Sequence, residues 1–299
     1  MQTAPSRPRS RVVAAALLLL LAACSPLPLP DSAVVSNQSP SREFSPSVGQ
    51  PGKDVVWVPT PNTVVERMLD LAEVQPGDRL IDLGSGDGKI AIAAALRGAY
   101  SLGIEYNPDM VALSRRNAEA AGVANTARFV QGDIFESDFS HADVITLYLL
   151  PQLNLQLRPA LLKMKPGTRV ASHDFNMGDW PPDRSVALAG GRALFWRVPA
   201  DVMGRWRVQL EGNEPALRID LTQHYQRLAG RADWGGAAAP LRDASVAGAE
   251  VHFAAADAGG GVHRFVASAG HDGHMRGRVT GPGGKTRTFT ATRITRSPE

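Results

Sequence analysis

The chain of 299 residues has a single cysteine, Cys24. Without a second thiol, an intrachain disulfide and a thiolate metal cluster are both excluded. Acidic residues are missing from the first 23 positions, which hold Arg7, Arg9 and Arg11; without that stretch the formal charge falls from +3 to 0. The basic balance therefore belongs to the N-terminus, and the rest of the chain is not expected to present a surface for nucleic acid. Long hydrophobic runs are also missing. The apolar stretch 12–21 is shorter than the roughly 20 residues a helix needs to cross a bilayer. Large apolar residues are scarce over 25–52, where Pro, Ser and Gln prevail, so this segment cannot bury enough surface to offset its chain entropy.

A positive start, a short apolar run and the small residues Ala22 and Ala23 before Cys24 make an export leader, with a transmembrane anchor as the alternative. The tetrapeptide Leu21-Ala22-Ala23-Cys24 resembles the lipobox of bacterial lipoproteins. That resemblance implies lipidation of the Cys24 thiol, which becomes the mature N-terminus. It also implies a place in the cell envelope, facing the periplasm and held to the membrane by lipid. The expected organisation is a signal peptide over 1–23, a disordered tether over 24–52, a first domain over 53–199 and a second, β-rich domain over 200–299.

Order is expected from near Asp54. Thr63-Val64-Val65-Glu66 has the spacing of a capping box, and Val64, Val65, Met68, Leu69 and Ala72 recur at helical intervals. From there strands and helices alternate: strand 79–83, helix 89–97, strand 100–105, helix 108–121, strand 127–130, strand 143–147, helix 152–164 and strand 168–172. Gly98 and Gly122 stand where left-handed helix caps belong. Repeated strand-helix units predict a mostly parallel sheet covered on both faces. Stretches 185–189 and 192–198, around Gly190-Gly191, form a hairpin. Beyond Pro199 seven short, partly alternating runs (205–211, 217–225, 228–234, 250–254, 262–267, 274–279 and 286–294) predict a small all-β unit.

Candidate site residues gather after three successive strands. Asp82-Leu83-Gly84-Ser85-Gly86-Asp87-Gly88 joins the first of these strands to a helix, and its glycines allow a sharp turn and close backbone approach to a ligand. The third glycine falls one residue too early for a dinucleotide fingerprint, and an Asp precedes the first. Glu105 ends the second strand and Asp133 follows the third, with Ile134 next to it. Ligands of open α/β sheets bind at the carboxyl ends of the strands, so the three acids converge on one crevice.

This pattern resembles motif I and its companion acids in class I S-adenosylmethionine-dependent methyltransferases. The resemblance covers about half the chain. It implies a Rossmann-like α/β sheet of five parallel strands plus a closing hairpin, with S-adenosylmethionine as cofactor. It further implies that Asp82, Gly84, Ser85, Gly86 and Gly88 line the methionine and ribose end. Glu105 would hold the ribose hydroxyls, and Asp133 with Ile134 the adenine. More narrowly, Trp57-Val-Pro-Thr-Pro61, Asp82 to Gly88 with Lys89-Ile90, and Glu105-Tyr-Asn-Pro108 are similar to protein lysine methyltransferases of the group acting on the ATP synthase c-ring protein.

Methyl transfer from a sulfonium is an in-line displacement that needs no metal, only an acceptor lone pair held near the methyl carbon. A lysine acceptor must be neutral, which a desolvating pocket favours. Candidates to shape that pocket are Tyr148, after the fourth strand, and His173, Asp174 and Phe175, after the fifth; the alternatives are core aromatics and a hydrogen-bonded loop pair. Two functions remain open at this point. One is an envelope-tethered methyltransferase acting on a protein or small molecule. The other is a lipoprotein whose Rossmann-like domain binds an adenosyl ligand or nothing while the β unit engages a partner.

Overall fold

The computed structural model describes residues 44–212, 216–270 and 272–297. The leader, Cys24 and the tether up to residue 43 lie outside the described residues. Residues 44–52, the end of the expected tether, have hydrogen-bonded backbone: Gly49 N donates to Trp57 O at 2.9 Å, and Trp57 N donates to Gln50 O at 2.8 Å.

The first layered unit comprises α1 (Asn62–Leu71), β1 (Arg79–Leu83), α2 (Lys89–Leu96), β2 (Tyr100–Glu105), α3 (Pro108–Ala120), β3 (Ala127–Gln131), β4 (Val144–Leu147), α4 (Pro151–Leu161), β5 (Arg169–His173), β6 (Arg184–Leu188) and β7 (Gly191–Arg197). The strands lie in the order β3-β2-β1-β4-β5-β7-β6. Strands β1 to β5 run parallel, and the β6–β7 hairpin inserts β7 antiparallel beside β5. Strands β1 and β4 are buried on both faces and are mostly apolar, with Asp82 and Thr146 as the buried polar exceptions. Leu80 and Val144 pack on the side of α1, whereas Ile81, Leu83, Ile145 and Leu147 pack with Trp180 and Trp196 on the other.

Two helix ends follow their sequence signals and one does not. Gly98 and Gly122 take positive φ just past α2 and α3, and Asn107 caps α3 by accepting from Asp109 N at 2.9 Å. Helix α1 begins at Asn62 after Pro61, without a side-chain cap, so the Thr63–Glu66 box is not formed. Thr63 already sits inside the first turn, where its backbone is helical and its hydroxyl cannot serve as a cap.

The C-terminal strands are β8 (Gly204–Leu210), β9 (Leu217–His224), β10 (Arg227–Asp233), β11 (Ala239–Pro240), β12 (Arg242–Ala247), β13 (Glu250–Ala256), β14 (Val262–Ala269), β15 (His274–Thr280) and β16 (Thr286–Thr295). Their order is β11-β10-β12-β13-β14-β15-β16-β8-β9, and β9 pairs back onto β10. Apart from the two-residue β11, the strands therefore form a closed ring of eight. This corrects the expectation of a small all-β unit: seven runs leave a sheet with two free edges, and the eighth strand, β12, joins them. Strand β12 escapes a period-two reading because its ladder shifts register between Arg242 and Ser245, where Asp243 has φ 52°.

The ring interior is filled by side chains, among them the fully buried Trp206 and, against one another, Phe253, Phe265 and Phe289. Trp206 Nε1 donates to Val202 O at 2.8 Å, so its polar atom is satisfied. The barrel is docked on the layered unit by the β9–β10 turn. Tyr225 stacks on Trp180 at 6.0 Å, and Gln226 Nε2 donates to Pro181 O at 2.9 Å. The Trp206→Ala variant is expected to lose about 3–5 kcal/mol in urea unfolding. A loss below about 1 kcal/mol would mean that the ring interior is not a packed core.

Candidate functional site

The loop from β1 to α2 turns through three glycines with positive φ, Gly84 at 77°, Gly86 at 53° and Gly88 at 83°. Each is needed for space as well as for dihedral angle. A Cβ on Gly86 would lie 2.8 Å from Trp57 Nε1, and one on Gly88 would lie 2.7 Å from Phe129 Cζ and 2.8 Å from Ser114 Cβ. Gly88 thus lets α2 approach β3 and α3, while Gly84 and Gly86 face a cavity.

That cavity, of about 340 Å³, sits at the carboxyl ends of the parallel strands. Its volume is in the range of small-molecule sites. Asp82, Glu105 and Asp133 all line it, as do Ser85, Ile134 and Tyr148. Its outer wall is residues 50–60, which carry Lys53, Trp57 and Thr60 over the glycine loop.

The acids have different environments. Asp82 is 2% exposed, and its Oδ1 accepts from Thr146 Oγ1 at 2.7 Å across the paired strands β1 and β4. Burial pushes its pKa up to about 7, only partly countered by the Thr146 bond and reinforced by Asp87 and Glu105. Glu105 is held at both oxygens: Oε2 accepts from Gly86 N and Oε1 from Asn107 N, each at 2.9 Å. Asp133 Oδ1 accepts from Phe135 N at 2.9 Å, and Oδ2 pairs with Lys53 Nζ at 2.5 Å. The Lys53 hydrogen bond is the main reason its pKa lies below the usual carboxylate value. Lys53 also lies 4.9 Å from the centre of the Tyr106 ring.

The remaining candidates divide. Tyr148 and Phe175 line the cavity with stacked rings 6.1 Å apart. His173 does not line it. It is 2% exposed behind Tyr148, with ring centres 3.9 Å apart, Nδ1 3.3 Å from Thr60 Oγ1 and Nε2 3.3 Å from Gly190 O. Burial lowers its pKa. Asp174 is also outside the cavity, and its Oδ1 accepts from Arg192 N at 2.7 Å, pinning the β6–β7 hairpin. Among the cavity residues not anticipated as site residues are Lys53, Trp57 and Lys89, whose Nζ donates to Thr60 O at 3.0 Å. Trp57 and Lys89 lay in segments that carry the family resemblance, without a site role of their own, and no signal marks Lys53.

The cavity suits a cationic ligand bearing hydroxyl groups. Three carboxylates face it, two glycines leave room for close approach, and Ser85 Oγ is a buried hydroxyl without a partner among the described residues. S-adenosylmethionine carries a sulfonium, an ammonium and two ribose hydroxyls, and so fits this donor and acceptor set.

The fold and this crevice define a class I S-adenosylmethionine-dependent methyltransferase. The ANTKMT methyltransferase domain matches residues 82–184. A protein-lysine N-methyltransferase of Saccharolobus islandicus (strain REY15A) is 42% identical over 140 residues, which are 46% of this chain and 87% of that protein. The adenine nucleotide translocase lysine N-methyltransferase of Mus musculus is 34% identical over 128 residues, 42% of this chain and 54% of that protein. The chain thus spans only about half the length of that mouse relative. A solved RNA methyltransferase from Salinibacter ruber, in complex with S-adenosyl-L-homocysteine, shares 55% identity over 47% of this chain and 94% of that one, with a TM-score of 0.46. The chain belongs to this methyltransferase family, and its cofactor is S-adenosylmethionine.

The state of Asp82 makes a pH prediction. Its pKa rises from 3.8 to about 7 on folding, so the native state binds the extra proton. Stability of the ligand-free protein therefore declines between about pH 4 and pH 7 through this group and levels off above. Relative to wild type, Asp82→Asn should be more stable by about 1–3 kcal/mol at pH 8 and nearly equal at pH 4. Urea unfolding at the two pH values measures this. An equal difference at both would show that Asp82 ionises as freely in the fold as in the open chain.

Proposed function

We propose that the chain transfers the methyl group of S-adenosylmethionine to a lysine ε-amine of a protein acceptor. The observation that carries this reading is the similarity to protein-lysine N-methyltransferases, which extends over most of the archaeal relative. The wall of the cavity made by Tyr148, Leu149, Leu150 and Phe175 supports it. Apolar and aromatic surroundings disfavour an ammonium, so an entering lysine is drawn toward the neutral amine whose lone pair attacks the methyl carbon. Burial raises the pKa of Tyr148, which leaves its phenol neutral and able to hydrogen-bond that amine. In this reading Glu105 holds the ribose hydroxyls with the lone pairs left free by Gly86 N and Asn107 N. Asp82 answers the cationic methionine end, and Asp133 gives up Lys53 to receive the adenine amino group. His173 and Asp174 keep Tyr148 and the hairpin in place.

Incubating the full chain with radiolabelled donor and either envelope protein extract or total RNA tests the acceptor. Label on lysine, located by mass spectrometry, is the expected result; label on RNA alone would overturn the lysine assignment. For the donor site, Glu105→Ala should weaken S-adenosylmethionine binding by about 1.5–3 kcal/mol in calorimetric titration. Wild-type affinity in that variant would refute the ribose assignment.

The lipid anchor at Cys24 and the envelope location belong to the same proposal. Feeding cells an alkyne-tagged fatty acid is expected to label the wild-type chain and not Cys24→Ser. An unlabelled wild-type chain would remove the anchor and leave the enzymatic reading untouched.

A further inference from the structure

A second concavity, of about 550 Å³, lies where the barrel meets the layered unit. It is at the amino ends of the parallel strands, since β5 enters it with its first residue, Arg169, and the donor crevice is at the other end. From the layered side it is lined by Arg169 and Arg197, and from the barrel by Glu250, Ser268, Arg276 and Arg278. Arg169 is committed to structure: its guanidinium donates to Ala72 O and Glu73 O, and pairs with Asp78 at 2.6 Å. Arg197 reaches Glu73 only at 3.5 Å and lies over the Phe195 ring.

Arg276 and Arg278 are different. Both are exposed and neither makes an ion pair among the described residues. They project from the same face of β15, about 7 Å apart along the strand, close enough to repel. Ser268 stands opposite Arg276, and Thr290 and Thr288 stand opposite Arg276 and Arg278 on the other flank. Of the acids nearest them along the strands, Glu250 also lines the groove and pairs with His252, and Glu211 accepts from Thr288 Oγ1 at 2.7 Å. Arg264 extends the basic face on β14, two residues from Val266, which is opposite Arg278. Residues 200–299 carry 13 Lys and Arg against 10 Asp and Glu, although the chain as a whole owes its excess to the leader.

The walls are fixed relative to one another. Ala200 N donates to Gly248 O at 2.7 Å in the β12–β13 turn. A Cβ on Gly248 would lie 3.0 Å from both Arg197 Cδ and Gly167 Cα, so the turn is seated directly against the layered unit. Two unpaired guanidinium forks, a third beside them and a hydroxyl therefore face one groove in a set geometry, which is the donor arrangement that a tetrahedral dianion or monoanion satisfies.

We infer that this groove is an anion site for a phosphate group, held by Arg276, Arg278 and Arg197 and separate from the donor crevice. The phosphate is carried either by a free small molecule or by a lipid headgroup. The experiment uses the full chain and the Arg276→Gln/Arg278→Gln double variant, with two probes. Pyrophosphate titrated by calorimetry reads the free source. Co-sedimentation with phosphatidylcholine vesicles, with and without phosphatidylglycerol, reads the lipid source; wild type and variant share the same basic N-terminus, so the difference between the two chains cancels its attraction to the anionic lipid. Wild type is expected to bind in at least one arm, and the double variant to lose about tenfold in that arm while its S-adenosylmethionine affinity stays unchanged. The arm that responds identifies the source. Absence of binding in both arms, or equal binding by the variant, overturns the proposal. Unchanged donor affinity shows that the variant is folded.

Discussion

The Glu105 carboxylate bridges two backbone amides, Gly86 N in the glycine loop and Asn107 N at the start of α3, and the rest of the site depends on that bridge. One side chain fixes the loop after β1 relative to the loop after β2. It acts together with two backbone bonds, Gly84 N and Ser85 N donating to Ile104 O at 2.9 and 3.0 Å, which tie the glycine loop to the end of β2. The bridge also determines what Glu105 can offer a ligand, since each oxygen keeps only the lone pairs that the amides leave. Charge and order are thus supplied by the same residue.

Asp82 and Asp133 show how the crevice holds the other two acids. Asp82 is buried without a cation and is held near neutrality, whereas Asp133 is more open and has recruited Lys53 from the segment that walls the cavity. A crevice that gathers three acids concentrates negative charge. Here protonation handles it at one position and a mobile type of side chain, lysine, at the other.

Most of the layered unit could be read from the sequence because its signals are local. Strands β1 and β4 are short and mostly apolar, glycine marks two helix ends, and the acids fall at or just beyond the carboxyl ends of strands. Of the residues expected at the donor site, Asp82, Gly84, Ser85, Gly86, Glu105, Asp133 and Ile134 line the cavity, whereas Gly88 packs against Phe129 and Ser114 instead. What could not be read depends on contacts between distant segments. Lys53 meets Asp133 across 80 residues, and Lys89 meets Thr60 across 29, with no pattern to announce either. The Thr63–Glu66 spacing misled because a cap is a matter of where the helix begins, and here it begins directly after Pro61. Closure of the barrel was hidden by one register shift in β12, which removes the alternation that identifies a strand. His173 and Asp174 follow a strand as the cavity residues do, yet the pleat turns His173 behind Tyr148 and the hairpin takes up Asp174.

The position of β16 has a consequence for biosynthesis. Among the described residues it comes last in sequence, yet it lies between β15 and β8, so it supplies two of the ladders that complete the ring. Until residues 286–295 have emerged, β8 and β15 remain raw edges able to pair with a neighbouring chain. The layered unit can assemble before β16 is made, but the barrel cannot close without it. A chain that stops short of β16 would carry a methyltransferase core joined to an open, adhesive sheet.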